Sequence, residues 1–327
     1  MEKLLDIQNM SISFQTYRGV LEAIHDVSLC VHAGEVVGIV GESGCGKSVT
    51  SQGVMKLLPP KRTFYTGGHV YFDGTDILSW SQEEVNGLRG SQMAMVFQDP
   101  MTALNPVLTI GDQIIEGIRV HERVTKKEAY SRALALLRDT GITSPEKRLH
   151  QYPHELSGGM RQRCLIAMAL SSSPRLLFAD EPTTALDVTT EAQVLQLLKT
   201  LQDQRHMAIV LISHNLGVIA QLCQRVYVMY AGTVVEEGPV ESIFYRPAHP
   251  YTKGLLASLP NPDHKDKPLV GIPGQAPDLF HMPKGCRFCP RCSKAMHICV
   301  TEAPPLYERE EGHSVSCWLY CKERLSW

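Results

Sequence analysis

Residues 41 to 48 read Gly-Glu-Ser-Gly-Cys-Gly-Lys-Ser and match the phosphate-loop pattern G-x-x-x-x-G-K-[ST]. The run before this loop, Val36 to Val40, is short, apolar and β-branched, as in a buried strand. Apolar residues recur at helical spacing after Ser48. Strand, glycine-rich loop and helix therefore follow in the order that a phosphate-binding loop requires, and the stretch predicts a bound nucleotide.

Each residue type in this loop suits a phosphate ligand. Glycines let backbone N–H groups close around phosphates, and the helix N-terminus adds partial positive charge. Lys47 can neutralise phosphate oxygens, and the Ser48 hydroxyl can hold Mg²⁺. The predicted nucleotide and Mg²⁺ contacts in the loop are Gly41, Ser43, Gly44, Cys45, Gly46, Lys47 and Ser48. Cys45 occupies a variable position of the pattern, where a space-filling role is favoured over a redox role.

Composition bounds the class of protein. A chain of 327 residues, with 43% hydrophobic and 20% charged residues, predicts one large globular domain or two moderate ones. The net charge of −2 argues against a protein that binds nucleic acid through a basic face. No apolar run is long enough for a membrane span, and the N-terminus lacks the layout of a signal peptide. We therefore expect a soluble, cytoplasmic protein.

Several segments have the period-2 pattern of strands. Residues 4 to 14 and 24 to 31 alternate between apolar and polar, which predicts antiparallel strands. Tyr17 lies on the loop between them, where its ring could stack on an adenine or simply be part of the surface. Residues 226 to 230 and 233 to 235 predict a hairpin that finishes the sheet.

Residues 100 to 170 predict a helical insertion between strands of the nucleotide domain. Within it, Thr125 and Glu128 form a capping box ahead of an apolar helical pattern. Gly141 is placed to end that helix.

Acidic and imidazole side chains follow two apolar strands. Asp180 and Glu181 come directly after Leu176 to Ala179, and His214 comes shortly after Ala208 to Ile212. Since α/β sheets carry their chemistry at the carboxyl ends of parallel strands, Asp180 is predicted as a second Mg²⁺ anchor. Glu181, one residue further, is a candidate for polarising an attacking water.

The motifs of residues 1 to 260, in their order and spacing, resemble those of the ATPase subunits of ABC transporters. After the phosphate loop come Gln98 as Q-loop, Leu-Ser-Gly-Gly-Met at 156–160 as signature motif, 176–181 as Walker B, 184–187 as D-loop and His214 as H-switch. The signature motif is decisive because other phosphate-loop ATPases lack it. The resemblance implies an α/β fold: a phosphate-loop ABC ATPase core with a parallel sheet, an antiparallel β subdomain and a helical subdomain at about 100–170.

The same resemblance implies a role for each matching residue in ATP hydrolysis. Glu181 would be the general base for water, and His214 would contact the γ-phosphate. Gln98 would contact the water and Mg²⁺, Asp180 would hold Mg²⁺, and Tyr17 would stack on the adenine.

The resemblance also implies a head-to-tail dimer of ATPase subunits. ATP held by one subunit would be closed over by Ser157, Gly158 and Gly159 of the other, and Asp187 would be a cross-dimer contact. A glycine-rich helix N-terminus suits this role because it attracts an anion and loses most of that attraction once the γ-phosphate leaves.

The C-terminal residues narrow the subfamily. His-Pro-Tyr-Thr-Lys-Gly-Leu-Leu at 249–256, with the proline-rich loops and cysteines that follow, resembles the dipeptide, oligopeptide and nickel importers. That subfamily implies two different ATPase subunits beneath two permeases, fed by an extracytoplasmic binding protein. It places the chain peripherally at the cytoplasmic face of the cell (inner) membrane. Peptides are the expected cargo, with nickel or another small solute as the alternative.

A polar, proline-bounded linker at 261–268 predicts a separate C-terminal module over 261–327. Six of the ten cysteines fall there, at positions 286, 289, 292, 299, 317 and 321, which in a cytoplasmic chain favours metal over disulfides. Cys286, Cys292, Cys299 and Cys317 have the spacing C-x5-C-x6-C-x17-C, similar to the cysteines that some subfamily members use for a [4Fe-4S] cluster.

Cys289 leaves the choice of ligands open, because it creates a C-x2-C-x2-C run typical of bacterial ferredoxins. Zinc, or no metal, is the alternative to iron and sulfide. A structural role for the cluster is favoured over that of a redox sensor.

A soluble ABC protein of DNA repair or translation is the alternative from another class. Such proteins usually carry two ATPase modules, a long coiled coil or basic extensions. One module, a net charge of −2 and the lack of a heptad run count against it. No nucleic-acid partner is expected.

Overall fold

The computed structural model describes residues 2–184, 186–259 and 271–321. The strands are β1 Lys3–Thr16, β2 Gly19–His32, β3 Val36–Val40, β4 Thr63–Phe72, β5 Thr75–Asp76, β6 Met93–Val96, β7 Leu176–Asp180, β8 Ala208–Ile212, β9 Arg225–Tyr230, β10 Thr233–Pro239, β11 Tyr307–Glu310 and β12 His313–Val315. The α-helices are α1 Lys47–Val54, α2 Gln82–Leu88, α3 Pro100–Ala103, α4 Ile110–His121, α5 Lys126–Asp139, α6 Pro145–Arg148, α7 Gly158–Ala169, α8 Val188–Arg205, α9 Leu216–Leu222, α10 Val240–Tyr245, α11 Pro250–Ala257 and α12 His297–Thr301. The predicted linker at 261–268 and Ala185 of the predicted D-loop lie outside the described residues.

The chain folds into two compact units, and the first contains Val31–Val36 and Ser79–Ile212 together with the residues up to Leu4. In this unit β7 pairs in parallel with both β6 and β8. Every residue of these three strands is buried. Burial on both faces explains why their sequences are continuously apolar rather than alternating.

The segment between β6 and β7 is helical, as the sequence predicts. It contains α3 to α7 and a 3-10 helix at Pro153–Glu155. The predicted capping box of α5 is confirmed, because Glu128 N donates to Thr125 Oγ1 at 3.3 Å and Thr125 N donates to Glu128 Oε2 at 2.8 Å. Gly141 follows the helix with φ of +70°, a conformation that favours glycine.

The second unit contains Leu5–Cys30, Val37–Leu78 and the described residues from Ser213 onward. One of its sheets has the strand order β2-β1-β4-β5, with β4 antiparallel to both β1 and β5. Asp73 and Gly74 connect β4 to β5 with φ of +50° and +75°. Two positive φ values in a two-residue loop are typical of a type I′ hairpin.

The strand that precedes the phosphate loop belongs to a sheet that reaches the C-terminal residues. Strand β3 pairs in parallel with β9, β9 is antiparallel to β10, β10 to β12, and β12 to β11. The prediction that the β9–β10 hairpin finishes the sheet is therefore wrong. The physical reason is that β10 extends to Pro239, beyond the predicted end at 235, and Glu236 and Glu237 pair with Val315 and Ser314 of β12.

Among the residues described above, no helix is both long enough and apolar enough to cross a bilayer.

Candidate functional site

The phosphate loop has the backbone conformation that its glycines predict. Gly41 and Gly46 have φ of +154° and +103°, where residues with a side chain are strained. A Cβ atom on Gly41 would lie 2.2 Å from the carbonyl oxygen of Met229, so only glycine fits there. Helix α1 begins at Lys47. The loop therefore ends at a helix N-terminus, which attracts phosphate.

Lys47 is buried and held by the loop itself. Its side chain is 5% exposed, and Nζ donates to Gly41 O at 2.8 Å and to Glu42 O at 3.0 Å. These carbonyls fix the ammonium group within the loop before any nucleotide arrives. Burial raises the pKa of the neighbouring Cys45 thiol, although the charge of Lys47 lowers it. A buried, protonated thiol agrees with the space-filling role of Cys45.

Two side chains from distant parts of the sequence contact Glu42, the second residue of the loop. Glu42 N donates to Tyr251 Oη at 2.9 Å. Arg291 pairs with the carboxylate through both nitrogens, with Nη1 to Oε2 at 2.8 Å and Nη2 to Oε1 at 3.1 Å. Tyr251 is fully buried, and the Arg291 side chain is 6% exposed. A bidentate guanidinium–carboxylate pair fixes both position and orientation.

Sequence reasoning missed both of these residues. In the sequence Tyr251 belongs to the segment 249–256 that carries the subfamily resemblance, and no local pattern connects it with the phosphate loop. Arg291 lies between Cys289 and Cys292, and no local sequence pattern connects it with the phosphate loop.

The other predicted contacts in this unit lie at its surface. Ser43 and Gly44 are exposed, and Ser48 is half-buried in the first turn of α1. His214 is exposed and directly precedes Asn215, the N-cap of α9. Tyr17 lies between β1 and β2 and is 98% exposed. Its adenine-stacking role stays a prediction.

In the other unit, two predicted side chains, Gln98 and Glu181, meet at the end of β7. Glu181 directly follows Asp180, the last residue of the strand, which is buried. Gln98 Nε2 donates to Glu181 Oε2 at 3.0 Å, and Thr184 Oγ1 donates to the same oxygen at 2.9 Å. Two neutral donors therefore orient one carboxylate oxygen without neutralising its charge. In the sequence Thr184 is part of the predicted D-loop, and only the structure shows its contact with Glu181.

The backbone at Glu181 is unusual. Its φ is +46°, in the left-handed region that costs a non-glycine residue about 1 kcal/mol. Glu181 N donates to Ile212 O at 2.9 Å, and Thr184 N donates to Glu181 O at 3.1 Å. These bonds hold the strained residue at the strand end, and backbone strain of this kind is common at functional sites.

The predicted dimer-contact residues lie at helix N-termini in the same unit. Ser157 caps α7, accepting a hydrogen bond from Met160 N at 3.4 Å, and it is exposed together with Gly158. A Cβ on Gly159 would lie 2.5 Å from Thr190 Cγ2, so this position needs glycine.

Asp187 caps the next helix, α8. It accepts hydrogen bonds from Thr190 N at 3.0 Å and Thr190 Oγ1 at 2.7 Å. The Thr190 hydroxyl, followed by the backbone N–H, lowers the pKa of Asp187. An ionised carboxylate is thus presented at the surface, as a cross-dimer contact would require.

The C-terminal thiols lie near one another. Cys286 N donates to Cys299 O at 2.8 Å, Cys289 N to Cys286 O at 2.9 Å, and Cys292 N to Cys289 O at 3.2 Å. The pKa of the Cys286 thiol is raised to about 12, mainly by burial and in smaller part by negative charge on Cys299, Cys317 and Cys292. The four thiols predicted as ligands are therefore electrostatic neighbours, and keeping them ionised together requires a nearby cation.

A preformed site for a single metal ion needs several ligand side chains arranged around one point. Within residues 2–184, 186–259 and 271–321, no three His, Cys, Asp or Glu side chains are arranged to hold one metal ion. The predicted iron-sulfur or zinc site therefore consists, in this conformation, of neighbouring thiols without a coordination geometry.

Two known families match different parts of the chain. The family described as ABC transporter matches residues 24–184, and the family described as oligopeptide/dipeptide transporter, C-terminal region, matches residues 235–299. The dipeptide transport ATP-binding protein DppD of Bacillus subtilis is 50% identical over 319 residues, which cover 98% of this chain and 95% of that protein. The chain belongs to the family of ABC transporter ATP-binding subunits. The oligopeptide transport ATP-binding protein OppD of Haemophilus influenzae is 45% identical and covers 98% of each chain.

A solved structure confirms the ABC ATPase fold. The ATP-binding cassette MJ0796, in a dimeric post-hydrolysis state bound to ADP and Pi, is 28% identical with a TM-score of 0.65. The match covers 72% of this ABC subunit and 98% of that chain. The family is one of ATP-hydrolysing proteins, and a dimer of cassettes is the assembly in which that structure was described.

Proposed function

We propose that this ABC subunit hydrolyses ATP to power the import of dipeptides or oligopeptides. Relatives that are 50% and 49% identical over almost the whole chain are named for dipeptide and oligopeptide transport. The observation that carries the catalytic part is the Glu181 carboxylate, held by Gln98 and Thr184. The same ATPase role for nickel or another small solute is the alternative.

In the proposed reaction the Glu181 carboxylate accepts a proton from a water molecule. The water oxygen forms a bond to the γ-phosphorus while the bond from that phosphorus to the β–γ bridging oxygen breaks, which gives ADP and inorganic phosphate. Gln98 and Thr184 orient the carboxylate toward the water. His214 contacts the γ-phosphate, and the proton passes from Glu181 to the solvent with product release.

Binding of ATP is assigned to the phosphate loop. Lys47 neutralises the β- and γ-phosphate oxygens, and the glycine backbone that excludes a Cβ at Gly41 lets amides approach them. Mg²⁺, when bound, neutralises charge that develops on the phosphates. The Ser48 hydroxyl and the buried Asp180 carboxylate are oxygen donors of the type that Mg²⁺ prefers, and we assign it to them. The exposed Tyr17 ring is assigned to the adenine.

The assembly we propose is a dimer of two different ATPase subunits beneath two permeases, supplied by an extracytoplasmic binding protein. In that dimer Ser157, Gly158, Gly159 and Asp187 contact the nucleotide of the partner ATPase, for which their positions at exposed helix N-termini are suited. The subunit then lies at the cytoplasmic face of the cell (inner) membrane.

Uptake by cells that carry the complete transporter tests this proposal. Labelled dipeptide, labelled oligopeptide and radioactive nickel are supplied to cells with the unaltered subunit and with Glu181→Gln. We expect uptake of one peptide class, lost in the variant. Uptake of nickel alone would mean that the transporter carries nickel rather than peptides. Undiminished peptide uptake by Glu181→Gln would overturn the assignment of Glu181 as the general base.

We also propose that Cys286, Cys292, Cys299 and Cys317 hold a [4Fe-4S] cluster, with Zn²⁺ as the alternative and Cys289 as a substitute ligand. The electrostatic interaction of the Cys286 thiol with Cys292, Cys299 and Cys317, and the spacing of the four residues, support this. Anaerobic purification followed by absorbance, iron, sulfide and zinc assays tests it. About four irons per chain with a broad visible absorbance is the expected result. Stoichiometric zinc in a colourless protein would mean that the cysteines hold a structural zinc ion instead of an iron-sulfur cluster.

A further inference from the structure

The cysteine segment 286–292 makes a direct, buried connection to the phosphate loop. Arg291 stands one residue before Cys292, and its guanidinium forms the bidentate ion pair with Glu42. Arg291 also donates to Pro273 O at 2.9 Å through Nε. The guanidinium is therefore held at Nε and at both Nη atoms, so it has little freedom to move with Glu42.

Aromatic packing makes the same connection independently. Phe288, in the same segment and 3% exposed, packs edge-to-face on Tyr230 with ring centroids 5.1 Å apart. It also lies 5.5 Å from the ring of Tyr251, whose hydroxyl accepts from Glu42 N. The Arg291 guanidinium lies 5.7 Å from the Tyr230 ring centroid. The segment thus contacts the loop through one ion pair and one packed aromatic group, and interiors of this kind transmit small shifts.

We propose that Arg291 is a positioning residue for the phosphate loop, which makes ATP affinity depend on the conformation of the cysteine segment 286–292. The inference rests on the proposed binding of ATP at residues 41–48. Arg291 touches no reacting atom in this proposal. It neutralises a carboxylate within the phosphate loop and holds Glu42, whose carbonyl accepts from Lys47.

The neutralising role has a specific consequence for nucleotide binding. Removal of Arg291 leaves the Glu42 carboxylate unpaired in a loop that binds a polyanion, so phosphate is repelled. Removal of both charges relieves that repulsion. A role limited to folding the C-terminal residues would give no such relief, because the second substitution would add its own loss to the first.

Binding of ATPγS to the purified full-length chain, measured by calorimetry, tests the proposal. We expect Arg291→Gln to weaken binding about tenfold, or about 1.4 kcal/mol, because the unpaired Glu42 carboxylate repels the phosphates at short range. Glu42→Gln loses the same ion pair but also removes the repelling charge, so it should weaken binding only about threefold, and the double variant should bind as Glu42→Gln does. Arg291→Lys keeps the charge without the bidentate geometry and should fall between these values.

Arg287 offers a matched control from the same segment. Its guanidinium pairs with Glu22 at 2.8 Å and donates to Ala231 O at 2.6 Å, without contacting Glu42. Arg287→Gln should lower the unfolding temperature about as much as Arg291→Gln but leave ATPγS affinity within about twofold.

The cysteine side of the connection has its own variants. Cys292→Ser, next to Arg291, should weaken ATPγS binding about threefold, and that effect should vanish in the Arg291→Gln/Glu42→Gln background, because the connection is already cut. Cys321→Ser is the control and should leave binding unchanged.

Any one of three results would overturn the positioning role of Arg291 while leaving ATP binding at the phosphate loop intact. These are unchanged ATPγS affinity of Arg291→Gln, additive losses of affinity in the double variant, or an equal loss of affinity in Arg287→Gln and Arg291→Gln. Failure of the unaltered chain to bind ATPγS would instead overturn the assignment of ATP to the phosphate loop, and the inference with it.

Discussion

The phosphate loop and the groups assigned to the γ-phosphate or to the dimer partner differ in how firmly they are held. Lys47 is buried within its loop, and Glu42 is held by the buried Tyr251 and by Arg291. Gln98 and His214 are exposed, as are Ser157 and Asp187 at their helix N-termini. Buried, hydrogen-bonded groups are ordered before a ligand arrives, whereas exposed side chains lose rotamer freedom only when a contact forms. A site that binds ATP first and acts on it later would be built in this way.

Glu181 stands between these two cases. Its side chain is only partly exposed, two donors orient it, and its backbone is held in a left-handed conformation. It is prearranged like the phosphate loop, but Gln98, one of the donors that orient it, is exposed and can exchange partners. That combination suits a base whose geometry is completed only in the closed dimer.

The largest expected effect separates binding from chemistry. Glu181→Gln should reduce the rate of ATP hydrolysis on the order of 10²- to 10⁴-fold, because a general base typically contributes that much. The amide still accepts from Gln98 or Thr184, so ATP binding should be retained. Steady-state phosphate release, measured with ATPγS affinity on the same protein, checks both halves.

Glu191 provides the matched carboxylate for this experiment. It accepts from Thr183 Oγ1 at 2.9 Å and lies in the first turn of α8. Glu191→Gln should hydrolyse ATP within about threefold of the unaltered chain, because Glu191 contacts Thr183 and none of the groups assigned to ATP. Equal losses in the two variants would assign the effect to the turn rather than to a base.

The next largest effect concerns the phosphate loop, whose groups are ordered before ATP binds. Lys47→Ala should weaken ATPγS binding on the order of 100-fold, because a buried, charge-assisted contact is lost and the Gly41 and Glu42 carbonyls lose their donor. Calorimetric titration measures the affinity. Lys253→Ala, an exposed lysine of the same unit, is the control and should bind normally. Tight binding by Lys47→Ala would mean that the loop backbone alone holds the phosphates.

The two regions were not equally predictable from the sequence. Lys47, Gln98 and Glu181 belong to local motifs whose spacing reflects the chemistry, so each could be named before the fold was known. Tyr251 and Arg291 act on Glu42 across more than 200 positions of the chain, and such contacts depend on packing that no local pattern encodes. The continuation of the sheet into β12 was missed for the same reason, since β12 is three residues long.

A third effect concerns His249, the residue that caps the helix carrying Tyr251. His249 Nδ1 accepts from Tyr251 N at 3.0 Å, and burial lowers the pKa of His249 to about 4, with Lys253 adding to the decrease and Glu236 opposing it. Above the ordinary pKa of about 6.5 the ring is neutral in both folded and unfolded chains. As the pH falls from 6.5 toward 4 the unfolded chain takes up the proton first, so stability is lost.

Denaturant unfolding at pH 7, 6 and 5 measures that loss. The free energy of unfolding should fall by about 2 kcal/mol between pH 6.5 and 5 through His249 alone. His249→Asn keeps a capping acceptor but cannot titrate, so its stability should depend less on pH by that amount. Glu236, which accepts from His249 N at 2.9 Å and faces His313 at 2.8 Å, also has a lowered pKa and contributes in the same direction below its ordinary range. Identical pH dependence of the two proteins would mean that His249 does not titrate in this range.

The smallest effect asks how much one neutral contact contributes to the prearranged loop. Tyr251→Phe removes the hydroxyl that accepts from Glu42 N and keeps the ring packed on Tyr230 at 4.7 Å between centroids. A neutral hydrogen bond contributes about 1 kcal/mol to stability, and only part of that free energy differs between the ATP-bound and the free protein. The affinity for ATPγS should therefore fall about threefold. Tyr320→Phe is the matched control, because its hydroxyl donates to Ala248 O at 3.2 Å in the same unit and not to the loop. If Tyr251→Phe binds as tightly as Tyr320→Phe, the order of the phosphate loop comes from Lys47 and Arg291, and the difference between the two regions is one of charge rather than of burial.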